Sequence, residues 1–555
     1  MIFVFWAFVY PNHILFTEQL SLFLYTSDYW SQFALQPGGW SAYCGNFIAQ
    51  FYVYRFAGAF IQSVLAYMFY SLLYNILIKA GARSGLWWMV MIPCMMLIAL
   101  QCNNYFTPGD SLAFICPFAL TLIYMRIPKA LTRRLIFTFA IIPVYLFAGS
   151  VATCCLYVSC MLYELFYTKD VWKYFSLVWI LAVGFLPYIW QSIYFTPNDK
   201  LFEILNFPMV DGIKYVPHLF FLFMPLYLLF YGNLYRKKIT VRISGFFFFI
   251  LLLTGCGYYL FSKSYNRLEE QTYGMNLAAF QNDWDKVLKI SKKVKKPDQY
   301  TVYYTNLALA MKGELPDKMF EYSQTDEFGL FLIRKWDDFN SRYGSDFYYH
   351  VGILNEAIRW IYDAHFVRRR GMDYHTLTRL AVWNREGGYE QVADKYFNIL
   401  EGTLMYRSWA KQQRNAPIRQ REKSTITPKE FYIGGREIIS DMAWYFENYP
   451  NNRMMLDYLL CYLLMKNDLE KFLNLFDTCY KSSNSKLPRA YQEALLFIAS
   501  IGKIDIQKYP VSSSVIQQYR NFSSLANNKK NEAEIKKLYG NTWWYYFWKK
   551  RNEKK

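Results

Sequence analysis

Charge is nearly missing from the first 261 of the 555 residues, which hold 15 Lys+Arg and 8 Asp+Glu against 46 and 34 in the remainder. Soluble domains are about a quarter charged, so this shortage excludes an ordinary water-soluble fold for the first part. A mean hydropathy of +0.03 conceals the partition. Metal-ligand spacing is missing too: the five histidines include no HxxxH pair, and zinc chemistry has no support. Of ten cysteines, eight precede residue 262, mostly inside apolar runs, where they serve as small buried hydrophobes. Cys461 and Cys479 lack metal-like spacing, and only Cys44 and Cys102 fall in loops where a disulfide can be drawn. The net charge of +19 comes without a nucleic-acid motif, which argues against that class of partner. The excess is shared as +7 and +12 between the two parts, and the second ends in a basic tail, Lys549-Lys550-Arg551 and Lys554-Lys555. Such a tail beside a bilayer suits anionic headgroups.

What fills the first part is a series of apolar runs. A spanning helix needs about 20 mostly apolar residues, because hydrocarbon offers no partner to a backbone amide. Qualifying or nearly qualifying runs lie at about 1–16, 57–78, 86–101, 111–125, 135–148, 151–167, 174–190, 217–234 and 243–261, which predicts an all-α domain of about nine spans over residues 1–261. The first run has no charged flank and no cleavage site, so it is read as an uncleaved helix and not a signal peptide.

Twelve of the fifteen basic residues sit in alternate loops: Lys79 and Arg83; Arg126, Lys129, Arg133 and Arg134; Lys169 and Lys173; Arg236, Lys237, Lys238 and Arg242. The other loops hold Arg55, Lys200 and Lys214. Loops rich in Lys and Arg stay cytoplasmic, which predicts a bacterial inner-membrane protein with its N-terminus inside and everything after Phe261 outside.

The loops on the expected outer side carry Glu18, Asp28, Asp110, Asp199, Glu203 and Asp211, with His13 and His218 nearby. The longest, about 17–55, is aromatic and amphipathic and contains Pro37-Gly38-Gly39-Trp40. It is expected to form one or two interfacial helices joined at the Pro-Gly-Gly turn. Its Trp and Tyr residues suit an aromatic belt, a sugar-stacking surface or a lipid groove. Tyr105-Phe-Thr-Pro-Gly-Asp110 is echoed by Tyr194-Phe-Thr-Pro-Asn-Asp199, each a turn whose Asp can cap the following helix. Glu164 is the one acid placed well inside a span, near enough to its end to snorkel.

Residues 262–555 read as short helix pairs: Tyr273 to Phe280 with Trp284 to Val294, Val302 to Met311 with Pro316 to Tyr322, and Met454 to Met465 with Leu469 to Cys479. A further pair, Leu377 through Gly387-Gly388-Tyr389 to Ala393, Phe397 and Leu400, resembles a tetratricopeptide repeat. An α-solenoid of such pairs is expected, with 407–436 as a basic loop. Solenoids offer a concave binding face and seldom do chemistry.

Thr17-Glu-Gln-Leu, Thr26-Ser-Asp-Tyr, Gln36-Pro-Gly-Gly39 and Leu487-Pro-Arg-Ala-Tyr-Gln-Glu-Ala494 give the whole chain its resemblance to an uncharacterised bacterial family of polytopic proteins with a tetratricopeptide-like C-terminal region. That resemblance implies an architecture and no activity. A second resemblance, in architecture alone, is to the GT-C membrane glycosyltransferases, which use polyprenyl-phosphate-linked sugars. It implies Glu18 or Asp28 as catalytic base, Asp110 as partner or ligand to a divalent metal, and Arg55 on the lipid phosphate. The chain departs from that pattern in having no paired Asp-Asp or Asp-Glu in the loop. Three functions follow as expectations: a membrane-anchored scaffold recruiting a protein partner at the outer face, a GT-C-like transferase acting on a lipid-linked sugar, and a transporter. The near absence of charge deep in the spans weighs against the last.

Overall fold

Long uncharged stretches must satisfy their amides within one segment, and helix does so. The computed structural model describes residues 1–81, 90–194, 250–251, 254–255, 257–333, 335, 337–367, 372–418, 438–480, 487–526 and 532–553, and no strand occurs among them. The chain divides into two compact units, Met1–Arg267 with Ile399–Trp409, and Leu268–Asn398 with Ala410–Lys555.

In the first unit four helices are long and apolar enough to cross a bilayer, Arg55–Lys79, Pro108–Arg126, Ile141–Tyr167 and Val171–Ile193, which marks the chain as a membrane protein. The last displays the stripe such a helix needs: Leu177, Val178, Leu181, Phe185, Tyr188 and Ile189 are exposed, while Trp179, Val183 and Leu186 are buried. Large apolar side chains exposed along one face suit lipid and not water. Among the described residues four segments meet that length and hydropathy, one of them, Ile141–Tyr167, being two arms joined at Gly149, and Met91–Gln101 is shorter at 11 residues. The expected span at 217–234 lies outside the described residues, as does much of 243–261. The run from Met1 does not form one helix. It breaks at Tyr10 (φ −131°, ψ 44°), and Pro11 starts the separate helix Pro11–Gln19, because a proline with no N–H fits only a first turn.

Gly149 (φ +81°, ψ −178°) interrupts Ile141–Tyr167. Across it Tyr157 donates its hydroxyl to the Phe137 carbonyl at 2.6 Å, and Arg133 and Arg134 reach Glu164. The pairs are nearly symmetrical about the glycine, so the two arms run antiparallel. This sharp reversal requires a residue free to take positive φ. The Tyr167 hydroxyl reaches the Ala80 carbonyl at 3.2 Å, and Tyr124 reaches Glu164. One end of the bundle thus gathers the helix termini flanked by Lys79, Arg126, Lys129, Arg133, Arg134, Lys169 and Lys173.

The opposite end holds the loop 17–55, folded as two helices, Ser27–Ala34 and Gly39–Ala49, with Gly38 left-handed between them (φ +72°). The second helix packs backbone to backbone on the start of Pro108–Arg126: a Cβ added to Gly45 would lie 2.1 Å from the Gly109 nitrogen. Gly45→Ala is therefore expected to cost about 1–3 kcal/mol through forced separation of the helices. Gly184, with nothing within 4 Å of an added Cβ, provides the control: alanine there is expected to be neutral or to gain up to about 1 kcal/mol in helix propensity. Unfolding midpoints of the two variants in the same detergent decide the matter, and equal shifts would refute the close contact.

The second unit is built from helix pairs whose starts are capped by aspartate or asparagine: Asp283, Asp298, Asp337, Asp373, Asn452 and Asp468 each accept a backbone N–H from the first turn. The expected pairs appear as Arg267–Phe280 with Trp284–Ser291, Tyr374–Glu386 with Glu390–Glu401, and Arg453–Lys466 with Leu469–Cys479. Val302 to Met311 lies within Gln299–Met311, while its partner shrinks to the short helix Leu315–Lys318 and one 3₁₀ turn. Part of the expected basic loop is the helix Arg407–Asn415, and residues 419–437 lie outside the described set. Packing is not confined to successive helices. Phe347 meets Tyr458 at 4.8 Å and Phe331 meets Tyr462 at 5.7 Å, and Arg489 N–H donates to Asp317 at 2.8 Å.

Candidate functional site

The three acids expected to act together have three different surroundings. Asp110 closes a capping box: its carboxylate accepts the Thr107 N–H at 2.6 Å and the Thr107 hydroxyl at 2.8 Å, and its own N–H faces the Thr107 oxygen at 3.4 Å. That is what a Thr-Pro-Gly-Asp turn does at a helix start. Asp28 is exposed in the first turn of Ser27–Ala34, where a negative charge complements the helix dipole. Glu18 is buried near the end of Pro11–Gln19 and accepts the Tyr406 hydroxyl at 3.1 Å. Tyr406 belongs to the segment Ile399–Trp409 that joins the first unit, so Glu18 ties that segment down. Asp199, the fourth outer acid of the sequence reading, lies outside the described residues. Among the described residues no three His, Cys, Asp or Glu side chains group closely enough to hold a metal ion. Cys44 and Cys102 are free thiols.

Arg55 opens the Arg55–Lys79 helix, with its guanidinium over the rings of Phe8 (5.1 Å) and Phe56 (5.0 Å). A cation at a helix N-terminus opposes the dipole, and the ring faces offset part of that cost. The same donors suit an anion. Nearby, His13 is buried, donates to the Gln101 carbonyl at 3.0 Å and stacks on Tyr10 at 4.7 Å, while the Gln101 amide reaches Ser111 at 3.3 Å. This chain of contacts joins three helices at the Asp110 end of the bundle.

The strongest polar constellation of the first unit was misjudged from sequence. Glu164 does not snorkel: it is 0 % exposed. Its Oε1 accepts from Tyr124 at 2.7 Å and Arg133 at 2.6 Å, and its Oε2 from Arg134 at 2.9 and 2.5 Å. Arg134 also holds Asp170 at 2.9 Å, and Arg133 holds Thr168 at 2.8 Å. Two arginines that read as loop charges are thus buried around Glu164, with the exposed Asp170 as second partner of Arg134, a charge-balanced cluster that fastens the hairpin. The signal was available: an Arg pair 16 and 15 residues before Gly149 and a lone in-span Glu 15 after it.

A second buried network orders the other unit. Arg342 is bidentate to Asp373 at 3.1 and 3.2 Å, and Arg379 donates to Asp346 at 2.8 Å. Tyr304 donates to the same Asp346 at 3.1 Å, and Asn276 to Tyr304 at 2.7 Å. Tyr300 meets Tyr343 at 5.4 Å where Tyr304 meets Asp346, and Arg342 pairs with Asp373 where Asp346 pairs with Arg379, so residue numbers rise together and Gln299–Met311, Asp338–Val351 and Tyr374–Glu386 run parallel. The C-terminal helix Trp543–Glu553 is fastened by Glu493, which is buried and accepts the Trp543 N–H at 2.6 Å and the Arg489 Nε–H at 2.9 Å.

A family model described as a family of unknown function, DUF6057, matches residues 1–550. The chain belongs to that family. Membership of DUF6057 spans both units, in keeping with a resemblance that covered nearly the whole sequence. No curated protein and no solved structure matches the chain. In this DUF6057 member the described residues form two charge networks that fix helix positions, with Asp110 held in a cap, Glu18 in packing and Asp28 exposed.

Proposed function

We propose that the protein is a membrane-anchored helical scaffold of the bacterial cell envelope, whose second unit, a tetratricopeptide-like stack outside the membrane, recruits a protein partner. The observation that carries this reading is the parallel register of Gln299–Met311, Asp338–Val351 and Tyr374–Glu386, locked by Tyr304, Asp346, Arg379, Arg342 and Asp373. Charges spent on register make a stiff binding surface. The capping role of Asp110 and the exposure of Asp28 point the same way. The basic residues gathered at one end of the bundle support a cytoplasmic position for that end, even with Arg133 and Arg134 paired to Glu164 and Asp170. Arg55, at the other end, meets lipid phosphate.

The scaffold reading expects Glu18→Gln, Asp28→Asn and Asp110→Asn to leave the envelope glycan profile unchanged, with at most about 1 kcal/mol lost for the Asp110 cap. It also expects a photo-crosslinker placed at exposed Trp444 or Phe366 to capture one discrete protein in living cells. Altered glycan at normal protein level in two of the three variants would replace the scaffold with a GT-C-like transferase.

A further inference from the structure

A cleft of about 900 Å³ opens in the second unit between chain segments 314–321, 487–492, 512–518 and 538–541. Its size lies at the upper end of the range for small-molecule sites. The walls are cross-braced. Asp317 accepts the Arg489 N–H at 2.8 Å, and Gln492 accepts both the N–H and the hydroxyl of Ser512, at 2.9 and 3.0 Å. Tyr539 stands edge-on to Phe522 at 5.4 Å. None of these contacts serves the helix register described above, and segment 314–321 is brought against three segments from the end of the chain at this one place.

The lining selects against most ligand classes. Glu314, Asp317 and Glu321 face only Lys318 and Arg489. Lys318 is engaged by Glu314 at 2.9 Å and the Arg489 Nε by Glu493 at 2.9 Å. The remaining charge is negative and repels phosphates, nucleic acids and acidic peptides. Apolar surface is limited to Leu487, Val515, Leu538 and the ring of Tyr539, too little for a lipid tail. What is left is a set of planar hydrogen-bonding groups, the carboxylates of Asp317 and Glu321 and the amides of Gln518 and Asn541, beside one aromatic face. Carboxylates accept, amides both accept and donate, and a ring offers an apolar platform with a polar rim. Adjacent hydroxyls on a sugar ring present paired donors and acceptors to such groups, and the C–H face of the ring covers an aromatic.

We propose that this cleft binds an uncharged or amino-bearing oligosaccharide of a few residues. The proposal rests on the reading of the second unit as a binding module, and it adds a glycan to the protein partner already proposed.

The test uses the full chain in nanodiscs of neutral lipid, which avoids sugar-based detergents. Calorimetric titrations with chitotriose, maltotriose and mannotriose are compared with trialanine. At least one sugar is expected to bind saturably with a Kd below about 10 mM, and Gln518→Leu/Asn541→Leu to weaken it about ten-fold by leaving sugar hydroxyls without partners. Both residues are exposed, so the double variant is expected to unfold at the parental midpoint. Asn541→Leu alone serves if it does not. No saturable sugar binding at ~10 mM, tighter binding of trialanine, or equal affinity in parent and variant would each overturn the proposal. A failed crosslink at Trp444 or Phe366 with intact sugar binding removes the protein partner and leaves the glycan site standing.

Discussion

Glu164→Ala is expected to cost the first unit about 3–5 kcal/mol, the penalty for stranding buried charge. Arg133 and Arg134 are each less than a tenth exposed, with Glu164 fully enclosed between them. Removing the acid leaves two buried guanidinium groups with one partly exposed counter-charge, Asp170, which pairs with Arg134 alone. Glu164→Gln keeps an acceptor for Tyr124 and is expected to lose less. The decisive comparison is the double variant Arg133→Leu/Glu164→Leu. It deletes one charge of each sign and leaves the Arg134–Asp170 pair intact, so it is expected to recover most of the loss, as buried ion pairs replaced by apolar side chains often do. Denaturant unfolding of the parent, Arg133→Leu, Glu164→Leu and the double variant in a fixed micelle gives the four free energies of the cycle. A single-variant loss within about 0.5 kcal/mol of zero would mean the cluster does not hold the hairpin.

Raising the pH is expected to loosen the second unit through Glu493. Burial pushes its carboxyl up from 4.5 to about 7, against the opposing pull of Arg489 and the Trp543 N–H. Arg489 is itself about one-third exposed, so water weakens its pull and burial wins. In the unfolded chain the same group ionises near its ordinary value. The stability it contributes is therefore fully present below about 4.5 and declines as pH rises through about 7, where the folded protein must carry a buried carboxylate. Between about pH 5 and pH 8 the wild type is expected to lose about 2–3 kcal/mol relative to Glu493→Gln, which cannot ionise. Because Glu493 fixes the Trp543 N–H, and its carbonyl accepts the Trp544 indole at 2.8 Å, amide exchange of Trp543–Glu553 is expected to quicken over the same range. A pH-independent difference between the two proteins would discard the role given to Glu493.

Much of the local structure was legible because it is dictated by neighbours in the chain. Thr107-Pro-Gly-Asp110 is a cap whatever surrounds it. The Gly387-Gly388-Tyr389 turn and the Leu469–Cys479 partner helix follow from spacing alone. Pro11 was the lapse. Reading 1–16 as one span weighed hydropathy over the missing amide, and the chain breaks there.

The sequence by itself determined that this protein is helical, lodged in a membrane through its first part and charged through its second. Each of these depends on how many apolar or ionised groups lie within a few turns, and solvent sorts such stretches without reference to distant partners. Tertiary structure alone decided which charges are loops and which are fasteners. Arg133 and Arg134 look like any topogenic pair until the reversal at Gly149 lays them on Glu164. Asp346 and Arg379 look like solvated helix faces until two parallel helices press them together. It also made the cleft, whose four walls come from segments more than two hundred residues apart at the extremes. A charge carries no mark of its burial in the chain, because desolvation depends on what packs over it, and that is set by contacts between segments that local sequence does not encode.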